Sequence, residues 1–235
     1  MVNYMKLNKQ IEKNILDHYK RDEVKKRVIG HYNASELGTC YREWFWRYTN
    51  PLEINDETQM IFNMGHMYHS FVDEVLEKSK NIEVIHNEKS LLLLDNKSDC
   101  VVHGRVDNVV NYNDTEYILD TKSTKSVEWA EKFPTSEDYL MQLNIYMKFF
   151  NIKKGALLYI EKATLKTYLK ELNYDKKYLD MALQRIGVID KHLKENKLPI
   201  AEGSLDSKKS WKCRFCVYKD DCDKIEVKEN GLKLK

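Results

Sequence analysis

Two apolar stretches flanking a pair of turn residues constrain this 235-residue chain more than any other feature. Cys100 to Tyr112 and Glu116 to Thr121 are rich in Val, Leu and Ile, with Asn113-Asp114 near their junction, the composition of two strands joined by a hairpin. If those two residues form the turn, Tyr112 pairs with Thr115 and the register carries Asp107 directly across from Asp120. Their Cβ atoms would lie about 4.5–5.5 Å apart, where like charges oppose pairing. Strand side chains alternate, so Lys122 leaves the sheet on the same face as Asp120. Lys122 would offset part of the repulsion, and a hard divalent cation held by carboxylate oxygens would offset more. A slip of one residue would put the aspartates on opposite faces, and a solvated, charge-balanced sheet face is the plainer alternative. Val106, Val109, Val110, Ile118 and Leu119 argue instead for a buried hairpin, and buried charges need partners or metal.

The rest of the chain frames that hairpin. Lys6 to Tyr19, Ser35 to Tyr48 with Ser35 as N-cap, and Glu57 to Lys80 have the spacing of amphipathic helices. Val84 to His86 and Leu91 to Asp95 read as short strands before the hairpin. Helical spacing returns over Ser136 to Phe150, then strands at Ala156 to Ile160 and Thr167 to Leu172, then a helix at Tyr178 to Asn196. This order predicts an α/β fold whose sheet opens mostly antiparallel. One domain is expected: a helical N-terminal part (1–80), a core (81–200) and a cysteine-bearing tail (201–235).

Composition excludes several classes. Apolar runs such as Leu91 to Leu94 fall far short of the roughly 20 residues of a spanning helix, so no membrane association is expected. The N-terminal MVNYMKLNKQIEK has charges where a signal peptide needs apolar residues, which predicts a cytoplasmic protein. The net charge is only +2, with basic ends around an acidic middle; basic ends could meet phosphates and an acidic middle could hold divalent cations.

In a reducing compartment, clustered cysteines suggest metal before disulfide. Cys213, Cys216 and Cys222 form C-x2-C-x5-C and want a fourth ligand. Cys40 beside Arg42 is the better candidate, because Cys100 opens a strand where a small buried thiol is ordinary. Zinc and an iron–sulfur cube both accept four thiolates, and spacing alone does not choose between them. Gly65 with His69, and Gln142 with Tyr146, each share a helix face at i, i+4. Trp44, Phe45, Trp46 and Tyr48 interleave with Arg42 and Arg47, a pattern that stacks single-stranded bases or simply fills a core.

Taken in order, Cys40, Gly65-x3-His69, Gly104-x2-Asp107, Asp120-x-Lys122, Gln142-x3-Tyr146 and Cys213-x2-Cys216-x5-Cys222 resemble the RecB-like branch of the PD-(D/E)XK nucleases. More narrowly, they resemble the CRISPR-associated exonucleases with a four-cysteine cluster and their viral relatives. The resemblance implies a restriction-endonuclease-like core, a mixed sheet flanked by helices, with the two ends of the chain joined through a four-cysteine metal cluster. It implies that His69, Asp107, Asp120 and the Thr121 carbonyl hold Mg²⁺ or Mn²⁺, that Lys122 orients and helps deprotonate the attacking water, and that Gln142 and Tyr146 steady the site and the DNA strand. It assigns a [4Fe–4S] cluster to Cys40, Cys213, Cys216 and Cys222. Arg42, Trp44, Trp46 and Arg47 are the candidate DNA contacts. Asp120 stands where many members have Glu. The implied activity is hydrolysis of single-stranded DNA or duplex ends, 5′ to 3′, with endonuclease nicking also within the family. CRISPR spacer acquisition or viral recombination and end processing would be the setting, with an integrase, helicase or recombination protein as partner. The rival readings are a catalytically idle iron–sulfur DNA-binding subunit and a zinc-stapled interaction module.

Overall fold

A computed structural model describes residues 2–19, 27–53, 55–95, 98–205 and 210–225. The elements run α1 (Val2–Tyr19), β1 (His31–Asn33), a 3-10 turn (Ala34–Glu36), α2 (Tyr41–Thr49), α3 (Asp56–Glu77), β2 (Glu83–Asp95), β3 (Cys100–Tyr112), β4 (Thr115–Thr124), α4 (Val127–Lys132), α5 (Glu137–Phe150), β5 (Lys154–Glu161), β6 (Thr167–Asn173), α6 (Lys176–Lys194), α7 (Glu202–Leu205) and a closing 3-10 helix (Ser210–Phe215).

The hairpin forms in the expected register. Tyr112 pairs with Thr115, Val109 with Ile118 and Asn108 with Leu119. Asn113 and Asp114 both take positive φ, 50° and 58°, the backbone of a tight turn whose twist matches the strands it joins. β2, β3 and β4 make the antiparallel opening; β5 then adds parallel to β4, and β6 antiparallel to β5.

β3 organises the sheet. One of its edges is covered by β2 from Cys100 to Asn111. Its other edge is shared, β1 pairing parallel at Val101–His103 and β4 antiparallel from Asn108 onward. Between those two partners, Gly104 to Asp107 have no ladder partner on that edge among the described residues, and the gap positions the candidate site.

Helices cover both faces. Leu143, Ile145 and Met147 of α5 pack with Ile186, Ile189 and Leu193 of α6 against Val102, Val106, Ile118 and Leu157. Val72 and Leu76 of α3 pack against Val110, Leu119, Ala156 and Ile160. Each such fully buried aliphatic side chain contributes about 1.5–3 kcal/mol by leaving water. The helix ends are chemically marked. Asn55 accepts a 2.8 Å bond from Thr58 N at the start of α3, satisfying one free amide. Asn151 closes α5 in the left-handed conformation, φ 56°, where Asn is tolerated.

Four expectations change. The polar run Asn87 to Ser90 does not break β2, because β3 pairs with it on both sides of that run, from Glu83–Asn111 to Asp95–Cys100. Ser35 does not cap a helix: it lies in the 3-10 turn, and α2 starts at Tyr41 with Cys40 in the cap position. β1, three residues long, gives the N-terminal part a place in the sheet. α4 occupies a stretch that lacked a periodic signal. The Lys208-Lys209, Lys233 and Lys235 charges lie outside the described residues. No helix is long and apolar enough to cross a membrane among the described residues.

Candidate active site

The site lies where β3 and β4 part. The last ladder pair is Asn108 with Leu119, and one residue further on Asp107 Oδ2 accepts a 2.7 Å hydrogen bond from the Thr121 amide. A side-chain carboxylate thus replaces the missing ladder bond, which fixes Asp107 at the mouth of the gap. His69 reaches in from α3, its Nδ1 3.2 Å from Asp107 Oδ1.

Asp120 is only 2% exposed. Lys122 Nζ lies 2.7 Å from Asp120 Oδ2, so the buried carboxylate is ion-paired. Burial pushes the Asp120 carboxyl up; Lys122 pulls it down and Asp107 raises it again, with a net upward shift. Burial alone would lower the Lys122 ammonium, but Asp120 and then Asp107 outweigh it and hold it well above the ordinary lysine value. For His69, too, burial works downward, and the hydrogen bond and charge of Asp107 reverse it, so the imidazole is raised.

α5 supplies the wall. Gln142 Oε1 accepts from Lys122 Nζ at 3.3 Å, and Gln142 Nε2 donates to Tyr146 Oη at 2.9 Å. The centre of the Tyr139 ring lies 4.7 Å from the same ammonium. Gly104 leaves room for Tyr146: a Cβ there would sit 2.7 Å from Tyr146 Cε1 and 3.2 Å from Leu91 Cγ. The spacing Gly104-x2-Asp107 thus has a steric cause, since the strand carrying the carboxylate must pass close to that ring.

Of these, His69, Asp107, Gln142 and Tyr146 line a cleft of about 830 Å³, together with His66 and Arg105. The donor set suits a hard or borderline divalent ion, being carboxylate oxygens with one imidazole. Sequence reasoning missed Glu88: the ligand atoms of His69, Glu88 and Asp107 lie within 4.8 Å of one another. Glu88 falls in a polar run that reads as a turn, and nothing in its spacing tied it to Asp107.

The cysteines are arranged less tightly. Cys40 stands at the N-cap position of α2, near enough to Cys216 to interact with it electrostatically. Burial, then the nearby Glu43, pushes the Cys216 thiol up to about 12. Among the described residues no three thiols fall within 4.8 Å of one another. The tail nonetheless docks on α2: Arg42 Nη1 lies 3.4 Å from Cys222 Sγ, and Tyr218 packs near Trp46 and donates to Asn50 O. Cys100 is fully buried, as expected.

Most of the aromatic and basic residues expected to meet DNA instead serve packing. Trp44 is 0% exposed and set edge-on to Tyr32, so it has no face to offer a base. Arg42 is buried and donates to Pro199 O. Arg47 is held between Glu36 and Glu43. Trp46 packs against Tyr218, at the seam between α2 and the tail.

Residues 71–223, well over half of the chain, match the model of the PD-(D/E)XK nuclease superfamily. The chain belongs to that superfamily. Among solved structures, SSO0001 aligns with a TM-score of 0.58 and 21% identity, over 93% of this chain and 94% of that one, and so shares the fold. An alkaline exonuclease, LHK-Exo, from Laribacter hongkongensis aligns at 0.49 with 13% identity, over 72% of this chain and 90% of that one. A phage-related exonuclease from Haemophilus somnus 129PT aligns at 0.47 with 13% identity, over 70% and 94%. No curated protein gives a significant sequence match.

Proposed function

We propose that this PD-(D/E)XK protein is a divalent-metal-dependent deoxyribonuclease, an exonuclease on single-stranded DNA or duplex ends with 5′-to-3′ polarity and some capacity to nick. Asp107, Asp120 and Lys122 are its motif residues in this reading. One observation carries it: the three converge at the parting of β3 and β4, with His69 against Asp107 and an open cleft above.

His69, Asp107, Asp120 and the Thr121 carbonyl would hold Mg²⁺ or Mn²⁺. Such an ion, when bound, lowers the pKa of an attacking water and neutralises charge on the phosphate. The protein's own groups do the rest. Asp107 is held by the Thr121 amide, so its second oxygen, Oδ1, is fixed in direction. Lys122, cationic between Asp120 and Gln142, places positive charge and N–H donors beside the reacting phosphate. Gln142 orients that ammonium and in turn holds Tyr146 Oη, which ties the strand side of the site to α5. Cys40, Cys213, Cys216 and Cys222 carry a [4Fe–4S] cluster that staples the tail to α2. Four thiols are the donor set such a cluster takes, and the Arg42–Cys222 and Trp46–Tyr218 contacts hold the segments that bear them together.

The test is a metal titration of cleavage. The protein, stripped of divalent ions, should leave labelled DNA intact, cut it when Mn²⁺ is restored, and stay folded by circular dichroism throughout. Cleavage undiminished in excess chelator would refute the metal-dependent reading.

A further inference from the structure

Glu88, grouped with His69 and Asp107, has no role in the nuclease reading. Its placement is not incidental. β2 and β3 change register between Val84 and His86, where Ile85 is an extra, bulged residue. That insertion advances β2 by one position, so Glu88 rather than Asn87 falls opposite Asp107, between the paired Asn87–Asn108 and Lys89–Val106. Bulges beside active sites commonly re-aim a side chain in this way. Glu88 also holds φ at +49°, a left-handed conformation that a non-glycine residue adopts at a cost. A bulge and a strained residue together bring a third carboxylate beside His69 and Asp107, with all three ligand atoms within 4.8 Å. Like charges on neighbouring strands oppose pairing unless a cation joins them. The cation now present is a guanidinium, Arg105 Nη1 lying 2.5 Å from Glu88 Oε2 with its side chain half exposed.

We infer that Glu88 is a further metal ligand of the nuclease centre, forming with His69 and Asp107 the cleft-side cation position, and that Arg105 is the counter-ion it exchanges when metal binds. The inference rests on the metal-dependent reading above and adds a residue to it. It places this position on the solvent side of Asp107, whereas Asp120 with Lys122 lies on the buried side. Arg105 lines the same cleft, so once released from Glu88 it can turn to the phosphates of a bound strand.

Mn²⁺ binding to the intact protein, read by calorimetry and by the loss of the free Mn²⁺ paramagnetic resonance signal, tests this without DNA or turnover. Glu88→Gln keeps the side chain's shape and should weaken Mn²⁺ binding about tenfold or more. Glu83→Gln, a charge control on the same strand, should change it less than about twofold. The metal-free melting temperature of Glu88→Gln should hold or rise, because a like charge beside Asp107 is gone. Unchanged Mn²⁺ affinity in Glu88→Gln, with binding lost in Asp107→Asn, would overturn the Glu88 assignment and leave the metal centre standing. Mn²⁺ binding that survives Asp107→Asn would overturn the metal centre itself.

Discussion

The Thr121 amide donates to Asp107 Oδ2 at 2.7 Å, in the place where the β3–β4 ladder would otherwise continue. One side chain therefore closes the sheet and, through its other oxygen, faces His69 and the cleft. The strands part because Asp107 bridges them by its side chain, and the parting makes the opening in which the acidic residues meet. Asp107→Asn keeps an acceptor for Thr121 and removes the charge. Cleavage should fall about 100-fold or more, with the melting temperature little changed; full activity in the Asp107→Asn variant would show that the carboxylate is structural.

Gly104→Ala tests the close approach of β3 to α5. The added Cβ would meet Tyr146 Cε1 at 2.7 Å and Leu91 at 3.2 Å, and Tyr146 is 2% exposed with little room to yield. Overpacking of this kind costs about 1–3 kcal/mol. Displacing the Tyr146 ring also strains its bond to Gln142, so activity should drop more than stability does. Thermal melting and cleavage rates measured together check this, and wild-type behaviour in both would contradict the packing described.

Much of this was legible before the structure. The Asn113-Asp114 turn carried the register, since hairpin pairing follows from the turn once both residues adopt positive φ, and the register carried the Asp107–Asp120 neighbourhood. Glu88 was not legible, because the Ile85 bulge that aligns it leaves no mark in apolar periodicity. β1 was hidden by its length: three residues are too few for a period. The aromatic run in α2 was ambiguous by nature, since Trp44 in a core and Trp44 on a DNA-binding face have the same spacing.

Trp44 and Trp46 separate packing from contact. Trp44→Ala removes a fully buried ring that packs on Tyr32 and should cost about 3–5 kcal/mol. Trp46→Ala should cost less and loosen the tail, through loss of the Tyr218 contact. Denaturant unfolding measures both. A Trp44→Ala protein as stable as wild type would contradict the buried placement.

The cysteine staple has a visible consequence. Protein prepared without air should be brown from sulfur-to-iron charge transfer, with about four irons per chain, and Cys213→Ala should lose colour, melting temperature and activity together. Colourless protein containing zinc would replace the iron–sulfur reading.

Asp120 and Lys122, 2.7 Å apart, stand at the heart of the proposed DNA-hydrolysing site. The decisive assay is degradation of end-labelled single-stranded DNA with Mn²⁺ by the intact protein, Asp120→Ala and Lys122→Ala, all prepared anaerobically and shown to be folded. The intact protein should cleave, with label released first from 5′-labelled strands, and both variants should be inactive. Folded protein that binds the DNA and leaves it whole, or cleavage that survives both substitutions, would overturn the nuclease reading.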